Sequence, residues 1–169
     1  AGLTSLGAPL THRDHAHGVV FITGHAKPGD SGTDWQQLAA TARDAKLTLV
    51  IYMGVSSATS IQADLLTGLP ASTPLAIIQH ASLPQQRHAV GALGGLVELM
   101  AQHGLSSPAV IIVGDVLRGM HHAALDALGN RLFAHAVAAR AGLVAKANVV
   151  DEQDDQHHRH HKRGHHGTH

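Results

Sequence analysis

At 169 residues, 44% of them hydrophobic, and with 12 basic against 12 acidic side chains, the chain suits one soluble domain with a modest core. The balance of charge gives no general attraction to nucleic acid while the histidines are neutral, and the absence of cysteine excludes disulfides and thiolate metal sites. No apolar run approaches the roughly 18 to 20 residues of a spanning helix, and the first residues lack a signal-type core, so a cytoplasmic protein without membrane or nucleic-acid partners is expected.

Ala1 to Leu10 is rich in small residues. Pro9 fixes its own φ and pushes Ala8 toward an extended conformation, so the segment reads as a connection. Thr11-His12-Arg13-Asp14 then gathers four polar groups ahead of a strand-like run, Val19 to Thr23. Such a cluster is either a binding site at a strand entrance or a solvated turn in which Asp14 or Thr11 bonds the local backbone. Gly24 to Gly32 is dense in glycine and turn formers, and its length makes it a candidate functional loop. Asp34 is placed to cap a helix from Trp35 to about Arg43, in which Trp35, Leu38 and Ala42 fall at near-helical spacing.

Leu47 to Gly54, LTLVIYMG, is an apolar run that stops at a glycine and suits a strand buried on both faces. A helical pattern follows from Ser57 to Thr67, with Ser56 or Ser57 as cap and Ile61, Leu65 and Leu66 as its buried stripe. Gly68 and Pro70 end it. A strand leading through a glycine into a helix brings a ligand to the carboxyl end of a sheet. Met53 stands at that end, where it either fills a gap in the core or faces the ligand.

Leu75 to Ile78 is a further short strand. A polar loop separates it from a second run, His88 to Leu93, and the pair predicts an antiparallel hairpin around Gln79 to Leu93. Gly94 and Gly95 break that run before a helix carrying Leu96, Leu99 and Met100, and Pro108 introduces the apolar strand Ala109 to Val113, which ends at Gly114. The alternation through residue 117 predicts an α/β fold, a mixed sheet flanked by helices. Beyond Arg118 an alanine-rich helical stretch, His121 to about Leu143, leads to a polar, histidine-dense tail over residues 151–169. The expected organisation is therefore a domain over 1–118, a helical extension over 119–150 and a disordered low-complexity tail that forms no specific metal site. No G-x-S-x-G elbow and no phosphate-binding loop is present.

Six separated motifs resemble one family in their order. They are Gly7-Ala8-Pro9-Leu10-Thr11-His12-Arg13-Asp14, Phe21-Ile22-Thr23-Gly24-His25, Asp34-Trp35, Tyr52-Met53-Gly54, Ser82-Leu83-Pro84-Gln85-Gln86-Arg87 and Ile112-Val113-Gly114. Over roughly Gly2 to Leu117 the chain is similar to the carboxy-terminal portion of the uroporphyrinogen-III C-methyltransferases, free-standing or as the methylase part of siroheme synthase. The resemblance implies the second subdomain of a tetrapyrrole methylase. It also implies methyl transfer from S-adenosylmethionine to uroporphyrinogen III, giving precorrin-2 on the way to siroheme or cobalamin, by a homodimer with its cofactor in a cleft between two subdomains.

By the same resemblance Met53 lies against the cofactor and main-chain groups near Ala81 hold the adenine. Thr4 and Ser5, from a PGxTS-like segment in which Ala1 replaces the proline, also touch the cofactor. The family often has glycine where this chain has Ala81, and the methyl is compatible with a backbone contact when φ is negative. The spacing from Thr4 to Thr11 is shorter than the family pattern by about two helical turns, roughly seven residues. The eight carboxylates of uroporphyrinogen would meet His12, Arg13, Lys27 and Arg87 through charge-assisted hydrogen bonds. The GxGPGD-type loop and GGD-type segment of the family's first subdomain do not occur in the sequence. A methylase that is incomplete as this chain alone is therefore expected, against the alternative of a catalytically silent binding or dimerisation module.

Overall fold

Five short runs rich in Val, Ile, Leu and Ala form the strands of one sheet: β1 (Gly18–Thr23), β2 (Leu47–Tyr52), β3 (Pro74–Gln79), β4 (Arg87–Ala92) and β5 (Ala109–Val113). Their order across the sheet is β1-β2-β5-β3-β4. A computed structural model describes residues 10–26, 28–118, 130, 132–134 and 137–138. The chain divides into two units, 1–131 and 132–169. In the second unit the described residues are helical, with Phe133 and Val137 exposed and Leu132 buried. The helical extension and tail expected from residue 119 onward otherwise lie outside the described residues, as does the start of the chain.

β1 runs parallel to β2, while β5 is antiparallel to both β2 and β3, and β4 is antiparallel to β3. The sheet is thus mixed, and the expected hairpin is the β3–β4 pair, in which Ile77 faces Ala89 and Gln79 faces Arg87. Its three inner strands carry the unbroken apolar runs because both of their faces are buried. On one face Leu49, Ile51, Leu75, Ile77, Ile111 and Val113 form the core with the helices. On the other, Val50, Ala76, Ile78 and Ile112 are also buried. The edge strands β1 and β4 mix buried and exposed positions instead.

Three helices contribute to that first face, α1 (Trp35–Asp44), α2 (Ala58–Leu65) and α3 (Leu96–His103), through Ala39, Ala42, Ile61, Leu65 and Leu96. Asp34 caps α1 as its position predicts: its carboxylate accepts a hydrogen bond from the Gln37 amide at 2.9 Å, an interaction that stabilises a helix by about 1 kcal/mol. Ser57 stands at the start of α2 but makes no side-chain cap. A 3-10 turn, Val55–Ser57, feeds the helix instead, and backbone carbonyls of Gly54 and Val55 take the first amides. α2 also stops at Leu65, short of the expected Thr67. Gly68 beyond it has a packing role: a Cβ there would lie 2.8 Å from the Ala40 nitrogen, so the glycine lets α1 close over the turn.

β2 ends at Tyr52, one residue earlier than its apolar run. Met53 adopts a left-handed φ of 53° and is 60% exposed, which removes the gap-filling alternative. The chain turns so sharply here because β1 and β2 end against each other. A Cβ on Gly24 would stand 2.5 Å from the Gly54 Cα, closer than real Cβ contacts come. Gly24→Ala must push the two strand ends apart and is expected to lower the unfolding free energy by about 1–3 kcal/mol in a denaturant titration. A loss below about 0.5 kcal/mol would show that the ends can separate freely. Met53→Ala is expected to change stability by less than about 0.5 kcal/mol, whereas a buried methionine would cost about 2–5 kcal/mol, and the same titration separates the two.

Candidate functional site

Because β5 runs against both β2 and β3, the carboxyl ends of β1, β2 and β3 share one edge of the sheet. Thr23 to His25, Tyr52 to Gly54 and Gln79 to Ser82 emerge there, beside the start of β4 at Arg87 and of β5 at Ala109. Backbone bonds tie the emerging segments together: the Gly24 amide donates to the Tyr52 carbonyl at 2.7 Å and the His80 amide to the Pro108 carbonyl at 3.0 Å. β2 and β3 are separated by the single strand β5, so Met53 and Ala81 leave the sheet two strand spacings apart, roughly 10 Å.

Three non-glycine residues on this edge take left-handed backbone, Met53 (φ 53°), His80 (φ 51°) and Ser82 (φ 68°). Each such conformation costs on the order of 1–3 kcal/mol and persists only where the surroundings hold it. Around His80 and Ser82 the restraint is visible. The Ser82 amide donates to the Gln86 side-chain oxygen at 2.7 Å, the Leu83 amide to the His80 carbonyl at 3.0 Å, and the Gln86 amide to the Leu83 carbonyl at 2.9 Å. At the root of the loop the side-chain Nε2 of the buried Gln79 donates to the Ser106 hydroxyl at 3.0 Å. Ala81 itself is not left-handed, so its methyl meets the condition that a backbone contact requires. Its own amide and carbonyl take no hydrogen-bond partner among the described residues.

Tyr52, just before Met53, is half-buried on the other face of the sheet and stacks on Phe21 with ring centroids 6.4 Å apart. Burial pushes its phenol pKa above the ordinary value of 10, so the ring stays neutral at physiological pH.

The edge therefore brings together Met53, Ala81 and Arg87. It does not bring His12 or Arg13 to them. Those residues precede β1, and the Leu10 carbonyl accepts from the hydroxyl of Thr48 at the start of β2 at 2.9 Å. They sit at the amino edge, a strand length of roughly 17 Å away. There they form a solvated turn in which the His12 imidazole, not Asp14 or Thr11, takes the local bond, accepting the Asp14 amide at 3.2 Å. The His12 and His15 rings stack at 4.9 Å, and the exposed Arg13 guanidinium has no partner among the described residues. Arg87 differs: its Nη2 donates to the His103 carbonyl at the end of α3. Thr4, Ser5 and Lys27 lie outside the described residues. Among the described residues no group of three or more His, Cys, Asp or Glu side chains could hold a metal ion. Gln79 and Gln86 carry no role in the sequence reading, because nothing in a run of polar loop residues marks which glutamine turns back on the main chain.

The sequence profile of the tetrapyrrole (corrin/porphyrin) methylases matches residues 1–97. A siroheme synthase of Chromobacterium violaceum is 47% identical over 112 residues, 66% of this chain and 23% of that protein. A siroheme synthase of Yersinia enterocolitica is 50% identical over 112 residues, 66% of this chain and 22% of its own length. The chain thus spans less than a quarter of these curated relatives. Among solved structures, the uroporphyrin-III C-methyl transferase of Thermus thermophilus complexed with S-adenosylhomocysteine superposes with a TM-score of 0.56 at 31% identity, covering 68% of this chain and 49% of that one. With more than half its length matched by the family profile and this fold shared, the chain belongs to the tetrapyrrole methylases.

Proposed function

We propose that the chain supplies one wall of an S-adenosylmethionine site in an enzyme that C-methylates uroporphyrinogen III to precorrin-2. The observation that carries this reading is the exposed, left-handed Met53 on the same sheet edge as the free backbone groups of Ala81. The residues present fit the cofactor. An exposed thioether side chain offers soft apolar surface, and an unpaired amide and carbonyl offer the donor and acceptor that an adenine edge requires. The Thermus structure that superposes on this fold was solved with S-adenosylhomocysteine, which supports the assignment. When bound, S-adenosylmethionine supplies a methyl group that a carbon nucleophile displaces from sulfur.

Within that chemistry the chain's own residues bind and orient. Ala81 would hold the base through its main chain, Met53 would cover the apolar side, and Thr4 and Ser5 are further proposed contacts. Arg13, exposed and unpaired among the described residues, is proposed as a contact for those substrate carboxylates that extend beyond the cofactor edge toward the amino edge. His12 stands beside it, and Lys27 belongs to the same proposed set. Arg87 gives one N–H of its guanidinium to the His103 carbonyl, which orients the side chain, and keeps its other donors for a carboxylate on the same edge as Met53. The reading carries the homodimeric, cytoplasmic setting that the resemblance implies. No helix among the described residues is long and apolar enough to cross a membrane. The chain covers about half of the Thermus protein, which favours ligand binding without efficient turnover by this chain alone.

Calorimetric titration with S-adenosylhomocysteine is expected to give weak, saturable binding, and Met53→Ala to weaken it by about fivefold, equivalent to roughly 1 kcal/mol. Absence of heat at millimolar ligand would overturn independent cofactor binding. Precorrin-2 produced by the chain alone would overturn the need for a second wall. In a fluorescence titration with uroporphyrin III, Arg13→Met is expected to weaken binding by about threefold or more, as loss of a charge-assisted hydrogen bond requires. Unchanged affinity would remove Arg13 from the substrate contacts.

A further inference from the structure

We infer that Gln86 is a positioning residue for the cofactor edge, acting through the main chain of the loop that carries Ala81. The inference rests on the proposed role of Ala81. Two left-handed residues, His80 and Ser82, flank Ala81, which lies beyond the last hairpin pair, Gln79 with Arg87. A left-handed Ser82 needs an acceptor for its amide that local backbone geometry does not provide. The Gln86 side-chain oxygen supplies one at 2.7 Å. The bond is partly buried, where an unsatisfied amide costs about 1–3 kcal/mol. It also closes the loop crosswise, because Gln86 is held in turn by its own amide on the Leu83 carbonyl, and Leu83 by the His80 carbonyl. The chain of bonds runs from His80 to Leu83 to Gln86 and back to Ser82, and it encloses Ala81, whose own amide and carbonyl stay unpaired among the described residues.

The chemistry required of residue 86 is therefore a side-chain acceptor of glutamine length. Gln86→Glu keeps the acceptor and the length, whereas Gln86→Met keeps the length and removes the acceptor. If Gln86 only stabilised a surface turn, its loss would move stability without selectively moving ligand affinity.

The test uses the full chain and two readouts, amide hydrogen exchange by NMR and calorimetry with S-adenosylhomocysteine. Gln86→Met is expected to speed exchange at the Ser82 amide and to weaken the ligand, each by about tenfold, at a temperature where the chain stays folded, while the melting midpoint falls by only a few degrees. Gln86→Glu is expected to keep both quantities within about threefold of the parent chain. Faster Ser82 exchange in Gln86→Met without loss of affinity would overturn the positioning role. Unchanged Ser82 exchange would overturn the bond itself. If the parent chain binds no S-adenosylhomocysteine, the reading of Ala81 falls and the positioning role with it, while Ser82 exchange still decides whether Gln86 braces the loop.

Discussion

The rest of the structure depends on one pairing decision, the insertion of β5 between β2 and β3 with its direction reversed. Were β5 to add at the outside of the sheet, β2 and β3 would have to pair with each other and the gap between Met53 and Ala81 would shrink to a single strand spacing. With β5 between them, Val113 faces both Leu49 and Leu75, Ile111 faces both Ile51 and Ile77, and one short strand unites both halves of the core. Its sequence, AVIIV, has no polar side chain to expose, which suits only a position with neighbours on every side. The spacing of the candidate site is thus set by the most apolar strand in the chain.

That arrangement also explains where the backbone departs from relaxed geometry. The inner strands are pinned by both faces and both flanks, so the adjustment falls on residues just past their ends. Met53, His80 and Ser82 take it up, each on the edge where β1, β2 and β3 emerge. At β2 the turn follows from the near contact of Gly24 with Gly54, and at β3 from the bonds that close the loop on Gln86. Lys46 is left-handed as well, but it belongs to the tight connection into β2 at the opposite edge. These residues cluster on the edge proposed to face the ligand, and such backbone persists only where a rigid scaffold beneath it holds it.

Much of the fold was legible because its signals are local. An apolar run bounded by a glycine locates β2, a glycine pair and a proline bracket α3 and β5, and Asp34 marks the start of α1. The mixed sheet with its β3–β4 hairpin followed from the same punctuation. What could not be read was non-local. Strand order places β5 centrally through pairing with residues thirty or more positions away, and no periodicity encodes that choice. The same limit applies to the edge. The motif around Met53 was visible, and so was the condition on the backbone at Ala81. Which of the four cationic candidates share an edge depends on strand direction, so His12 and Arg13 fall apart from Arg87 for reasons absent from their own neighbourhood. The engagement of Arg87 by the end of α3 is equally invisible until the hairpin and helix are packed.

A central strand that comes last among the five strands has a consequence for how the sheet is assembled. Until Ala109–Val113 arrive, the β1–β2 pair and the β3–β4 hairpin are separate pieces, each with an open strand edge and an unburied apolar face. Joining them closes long loops late, and non-local pairing of this kind slows folding. Until residue 113 has been made, the strands already present form two sticky half-sheets, the state most prone to associate with other chains before it can complete itself.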